Sequence, residues 1–173
     1  MEHTYKLEYL YDIVNSSPQM TTRIPQKILG AHLLPYIRIG GRHIHPPLIL
    51  THVQTDGSYG SFMGARVAAI IKPTTERHTY RYVKSITAES PTETEWASIA
   101  YGLEAAIQLE QTAINIDNDN LGVIGGLLNH DQPLRKEYAR YWRSVILKLA
   151  NKTDWAGVRW IPRQDNRADD LFR

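Results

Sequence analysis

The sequence predicts an α/β domain in which a mixed five-stranded sheet is flanked by helices. Three observations carry that expectation. Three strand-like runs come first, separated only by turn residues. Helical periodicity then alternates with short apolar runs. Proline, glycine and capping residues mark the transitions between them. Antiparallel strands followed by strands joined through helices give a sheet that is part meander and part parallel.

Each element has its own reason. LILTHVQTDGSY (48–59) reads as a strand ending in a turn at Asp56-Gly57, a common turn dipeptide. GARVAAIIK (64–72) is apolar enough to be a central strand, and RHTYRYVKSIT (77–87) is polar enough for an edge. Ser90-Pro91-Thr92-Glu93 is a capping box with proline at the first helical position. The helix it opens carries Ile99, Leu103 and Ile107 on one face. AINID (113–117) is a short buried strand, and NLGVIGGLL is a short helix weakened by glycine. In 134–152, Tyr138, Trp142, Val145 and Leu149 form an apolar stripe, while Lys136, Arg140 and Arg143 share another face. VRWIP (158–162) is a last strand, and DNRADDLFR a terminal helical stub.

At 173 residues the chain is long enough for one domain with a sizeable core, and 42% hydrophobic with 22% charged residues is ordinary globular composition. No apolar run reaches the length of a membrane span, and the first residues lack the pattern of a signal peptide. The complete lack of cysteine excludes disulfides and thiolate chemistry, and fits a reducing, intracellular setting. Residues 1–47 read differently from the rest, as an N-terminal extension of open role. A short helix at YKLEYLYDIV and a hairpin about Gly40-Gly41 are expected there, and His43 and His45 lack a third ligand. Pro46-Pro47 is the natural boundary with a catalytic domain over 48–173.

Acids fall where a site can be built. Asp56 sits late in the first strand beside Gly57, Glu95 in the first turns of the long helix, Asp119 after the fourth strand, and Asp169 and Asp170 in the terminal stub. Converging carboxylates repel and are costly to ionise, so a cluster implies divalent cations, and oxygen-only ligation suits Mg²⁺ or Mn²⁺.

Four segments in this order, THVQTDGSYG, SPTETEWASIAYGLEAA, INIDNDNLGVIGGLLN and WIPRQDNRADDL, together resemble the type I ribonuclease H family over roughly residues 50–173. The resemblance implies a ribonuclease H-like fold, a monomeric enzyme, and hydrolysis of the RNA strand of RNA–DNA hybrids. It also implies two Mg²⁺ ions about 4 Å apart, held by Asp56, Glu95, Asp119 and Asp169, one activating water and the other stabilising the leaving 3′ oxygen. Thr92, Asn120 and Ser58 stand where the family's polar residues meet the hybrid or shape the site. The basic helix bearing Lys136, Arg140 and Arg143 becomes a backbone-binding surface. Committing four acids to metal moves the balance from +2 to +6, which suits a polyanion. The chain departs from the family in a shortened turn after the first motif and in IPRQDN, which holds no histidine, so Arg163 stands in that place.

Two positions need a choice. The asparagine interval from Asn166 favours Asp170, whereas the Ala-Asp-x-Leu match favours Asp169. On an α-helical wheel Asp169 borders the face shared by Ala168, Leu171 and Phe172, so Asp169 is preferred. Asp119 is preferred to Asp117 because it keeps the interval to Val123 and the alternation of Ile114 and Ile116. The rival readings are a junction resolvase or exonuclease on the same fold, a non-catalytic nucleic-acid-binding domain, and a ribonuclease domain cut from a reverse transcriptase.

Overall fold

The computed structural model describes residues 37–40, 46–60, 62–129 and 133–173. The helix expected over 5–14, the second arm of the hairpin, and His43 and His45 lie outside these residues. Among the described residues, six strands form one sheet: β1 (Ile37–Arg38), β2 (Thr51–Gly60), β3 (Gly64–Lys72), β4 (Tyr80–Ile86), β5 (Ala113–Asn118) and β6 (Trp155–Trp160), in the order β1-β6-β5-β2-β3-β4. The helices of the described residues are α1 (Pro91–Gln108), α2 (Leu121–Leu128) and α3 (Glu137–Ala150), followed by two 3₁₀ segments, Arg163–Asp165 and Arg167–Phe172.

The meander and the crossover half join at β2. It pairs antiparallel with β3 and parallel with β5, and β5 pairs parallel with β6. The sixth strand is the addition to the expected five: Ile37 and Arg38 pair antiparallel with Val158 and Gly157 at the sheet's edge. As the sequence indicated, β3 is interior and the polar β4 is the opposite edge.

Two expected boundaries move. No turn occurs at Asp56-Gly57, because the β2–β3 ladder runs through Asp56↔Ala68 and Gly57↔Val67 to Gly60↔Gly64. The hairpin turns farther on, where Gly64 adopts a φ of 67°, a conformation glycine takes without steric cost. The last strand starts at Trp155, three residues before the expected start, since Ala113↔Trp155 and Ile114↔Ala156 already pair.

Helix α1 lies on the β2–β3 region and supplies Trp96, Ile99, Ala100, Leu103 and Ala106 to the core against Val53, Ala69, Ile71, Ile114 and Ile116. Its predicted N-terminus is present: Ser90 Oγ accepts from Glu93 N at 3.2 Å. The Glu93 carboxylate closes back on Glu89 N at 2.7 Å, one residue before the cap. Gly102 lets the helix descend onto the sheet, since a Cβ there would lie 2.3 Å from Thr55 Cγ2. Helix α3 packs on α1 through Ile146 and the half-buried Tyr138, Trp142, Val145 and Leu149.

Candidate active site

The site begins where the sheet forks. The parallel ladder between β2 and β5 runs from Thr51↔Ile114 to Gln54↔Asp117 and stops. Asp56 lies two residues beyond the last pair on β2, and Asp119 follows the end of β5. Carboxyl ends of neighbouring parallel strands are where open α/β sheets form binding crevices. The third acid arrives on α1, whose first turn is pressed onto β2 at Gly57. A Cβ at Gly57 would stand 2.6 Å from Thr94 C and 2.8 Å from Glu95 N. The glycine after Asp56 is therefore there for helix approach, and it brings Glu95 to the fork.

Asp56, Glu95 and Asp119 each offer a carboxylate oxygen, and these oxygens all lie within 4.8 Å of one another. Asp56 is buried, at 6% exposure, and the other two are half-buried. Burial raises the Asp56 pKa to about 7, helped by the charge of Asp119 and, more weakly, Asp169, while the Gly57 N–H and Arg163 oppose the shift. Burial likewise raises Glu95 to about 8, with Asp56 and Asp119 adding to it and Asn118 and Arg163 opposing it. Glu95 Oε2 is buried without a hydrogen-bond partner. An orphaned carboxylate oxygen inside a mutually repelling, all-oxygen cluster is the donor set that a hard divalent cation satisfies. The residues fit such an ion.

Asp117 is engaged elsewhere. Its two oxygens take Arg159 Nε and Nη2 at 2.8 and 2.7 Å, and Asn115 Nδ2 donates to Oδ1 at 2.7 Å. Asp169 lies outside the three-acid group. It bonds Arg173 at 3.0 Å and faces Arg163 at 3.9 Å, yet its charge is felt by Asp56. Asp170 pairs with Arg167 at 3.7 Å and Arg173 at 3.6 Å, and its side chain is 47% exposed against 29% for Asp169. The terminal stub is a 3₁₀ helix rather than the α-helix used to compare them. At about 120° per residue, Leu171 eclipses Ala168 and the two aspartates flank that line equally. The helical wheel thus loses its force, and what separates the pair is their surroundings. The stub is held to the sheet by Arg66, whose Nη2 donates to Phe172 O and whose guanidinium lies 5.2 Å from the Phe172 ring centroid.

The other expected residues are dispersed. Thr92 is exposed in the first turn of α1, and Ser58 is half-buried two residues after Asp56. Asn120 caps α2, accepting from Val123 N at 3.1 Å. Lys136 is the exposed N-cap of α3. Arg140 donates to the carbonyls of Leu134 and Arg135, and Arg143 to those of Gly126 and Asn129, so both guanidinia also tie down the chain before α3. Arg163 is exposed, and its charge reaches Asp56 and Glu95. Sequence reasoning passed over the buried Asn118 and used the buried Asn166 only as a spacing marker, whereas both bond the chain beside the acids. Their signal was their position next to an acidic motif.

This topology, with an acidic cluster at the fork, defines the class as a ribonuclease H-like fold. The halophilic archaeal ribonuclease H1 of Halobacterium salinarum NRC-1 superposes with a TM-score of 0.64 at 22% identity, covering 70% of this chain and 93% of that one. The N-terminal ribonuclease H domain of a Mycobacterium tuberculosis protein gives 0.61 at 19% identity, covering 71% and 90%. LC11 ribonuclease H1, solved with an RNA/DNA hybrid, gives 0.57 at 17%, covering 71% and 92%. No curated protein matches the chain by sequence. The model of the reverse transcriptase-like family matches residues 54–172, and the chain belongs to that family.

Proposed function

We propose that this protein is a divalent-metal-dependent endoribonuclease that hydrolyses the RNA strand of RNA–DNA hybrids. The observation that carries the reading is the acidic cluster at the strand fork, with its orphaned Glu95 oxygen. The ribonuclease H1 structures that share the fold support it, one of them holding an RNA/DNA hybrid.

In this reading Asp56, Glu95 and Asp119 hold Mg²⁺ or Mn²⁺, and Asp169 completes the set for a second ion. Bound ions of this kind lower the pKa of water and neutralise charge on a phosphodiester in transition. The chain's own residues do the rest. Asp56 and Glu95 must release their protons as the site is loaded, which their raised values tie to neutral or higher pH. Arg163 supplies an exposed guanidinium beside the cluster for a backbone phosphate. Lys136, Arg140 and Lys148, all exposed, give α3 a cationic outer surface for the duplex backbone. Recognition of the hybrid then rests on groove shape and 2′-hydroxyls rather than base sequence.

The test is cleavage of strand-labelled RNA–DNA hybrid, double-stranded DNA, double-stranded RNA and a four-way junction, with Mg²⁺ and with EDTA. Cleavage confined to the RNA of the hybrid and lost in EDTA is expected. Preference for the junction, or binding of hybrid without cleavage, would replace the reading with a rival on the same fold.

A further inference from the structure

We infer that Asn118 is a positioning residue that sets the spacing of the acidic cluster, with Asn166 as its second support. This rests on the metal-dependent reading above and extends it to residues that donate no ligand atom.

The fork poses a problem of backbone chemistry. Past Gln54↔Asp117 the β2–β5 ladder ends, and the Thr55 carbonyl is left at a site where both strands are buried. A buried carbonyl needs a partner. Two side-chain amides supply it. Asn118 Nδ2 donates to Thr55 O and Thr55 Oγ1, both at 3.1 Å, and Asn166 Nδ2 donates to Thr55 O at 2.9 Å. The ladder is thus continued by side chains across a gap that the main chain does not bridge, and the acids sit in that gap.

Asn118 reaches all three acid-bearing segments. Its amide bonds hold Thr55, the residue before Asp56. Its amide lies close enough to Glu95 to favour the ionised carboxylate, opposing the upward shift that burial imposes. Its Oδ1 accepts from Asn120 N at 2.9 Å, fixing the residue after Asp119. Asn166 adds the remaining link, with Nδ2 also 3.4 Å from Asp119 Oδ1 and Oδ1 accepting from Ala168 N at 3.2 Å, next to Asp169. Both asparagines are buried, at 0% and 3% exposure. Only a neutral group with two N–H donors and one acceptor meets these demands. An aspartate at 118 would keep the shape but face the Thr55 carbonyl and Glu95 with acceptors and one more charge.

The experiment measures Mn²⁺ binding by calorimetry, with no substrate present, for the full chain and for Asn118→Asp, Asn118→Ala, Asn166→Ala and Thr51→Val. Thr51 is the control: it is buried on the same strand and bonds Gln111 through its hydroxyl, at the end of β2 away from the fork. Asn118→Asp and Asn118→Ala should weaken Mn²⁺ at least tenfold and Asn166→Ala several-fold, with Thr51→Val within twofold of the parent. Hybrid cleavage by the Asn118 variants should lose kcat with little change in KM. Equal losses of affinity in the Thr51 and Asn118 variants at equal loss of melting temperature would overturn the assignment, leaving Asn118 a merely structural residue. If the Asn118 variants do not fold, the parent's Asn118 side-chain NH₂ signals decide. They should be protected from exchange and shift on addition of Mg²⁺, and rapidly exchanging signals that ignore Mg²⁺ would sink the idea. A parent chain that binds no Mn²⁺ at all would instead remove the metal-dependent reading itself.

Discussion

Two kinds of carboxylate meet at this site, and they are held in opposite ways. Asp56, Glu95 and Asp119 are carried by a strand, a helix and a strand end that the core fixes, and they repel one another in partial burial. Asp169 and Asp170 ride on a 3₁₀ stub and are paired with Arg163, Arg167 and Arg173, whose side chains are 69–81% exposed. Exposed ion pairs of this sort contribute at most about 1 kcal/mol each and are easily exchanged. The first group is preorganised at a cost to stability. The second is compensated before any cation arrives. A binding site assembled from both has a fixed wall and an exchangeable one.

The largest expected effect comes from the fixed wall. Asp56→Asn or Glu95→Gln should lower hybrid cleavage at least a thousandfold, since each removes a carboxylate whose place no neighbour can take. The same changes should raise the melting temperature of the metal-free protein near pH 8, because repulsion is relieved. Loss of cleavage together with loss of stability would mean that the cluster is structural, and the contrast between the two walls would fail.

Next comes the spacing of that wall. Gly57→Ala places a methyl where Thr94 and Glu95 backbone atoms already stand, so the first turn of α1 must lift. Overpacking of this kind costs about 1–3 kcal/mol, and a displacement on the order of 1 Å at a catalytic centre costs on the order of a hundredfold in rate. Both should be seen, the first by denaturant unfolding and the second by kcat. A fall in stability with kcat intact would show that Asp56 and Glu95 need not be held this closely.

The part of the molecule that was legible in the sequence follows from how local each signal is. The capping box of α1, the interior apolar run of β3 and the polar edge of β4 are set by contiguous residues, and they are present. Asp56, Glu95 and Asp119 were readable because each stands in, or directly after, an element whose type was plain. Asp56-Gly57 was misread as a turn because the reason for the glycine, a helix pressed onto the strand, is 37 residues away in Thr94 at its nearest atom. Ile37 and Arg38 were legible as an arm of the hairpin expected about Gly40-Gly41, but not as the sixth strand of this sheet, because their partners Val158 and Gly157 on β6 are remote in sequence. The choice between Asp169 and Asp170 leaned on an α-helical angle in a segment that is 3₁₀. The bonds that the fork's asparagines make to Thr55 were not legible, since that partner lies 63 residues from Asn118 and 111 from Asn166.

The pH dependence separates the walls without mutation. Asp56 and Glu95 have folded-state pKa values above their ordinary ones, so the folded protein keeps protons that the unfolded chain has released. Their stabilising contribution is therefore complete below about pH 4, and is lost as pH rises through about 7 to 8. The slope is at most about 1.4 kcal/mol per pH unit for each proton retained. The metal-free melting temperature should fall by several degrees between about pH 5 and pH 8, and saturating Mg²⁺ should abolish most of that fall. A flat metal-free profile would mean that the cluster is better solvated than its burial indicates.

The smallest expected effect tests the exchangeable wall. Arg173 bonds Asp169 at 3.0 Å, so any cation at Asp169 must displace or share that guanidinium. Arg173→Ala should leave stability within about 0.5 kcal/mol, as exposed pairs do. It should tighten Mg²⁺ binding by two- to threefold at low ionic strength, and the gain should vanish near 1 M salt, where the Debye length shrinks to about 3 Å. The companion measurement is cleavage by Asp169→Asn and Asp170→Asn. If Asp169 is the acid that Arg173 guards, its loss should cost kcat at least about a hundredfold and erase the Arg173→Ala effect on Mg²⁺, while Asp170→Asn stays within about threefold. The reverse order would transfer the ligand role to Asp170, and with it the meaning of the Arg167 and Arg173 pairs that hold it.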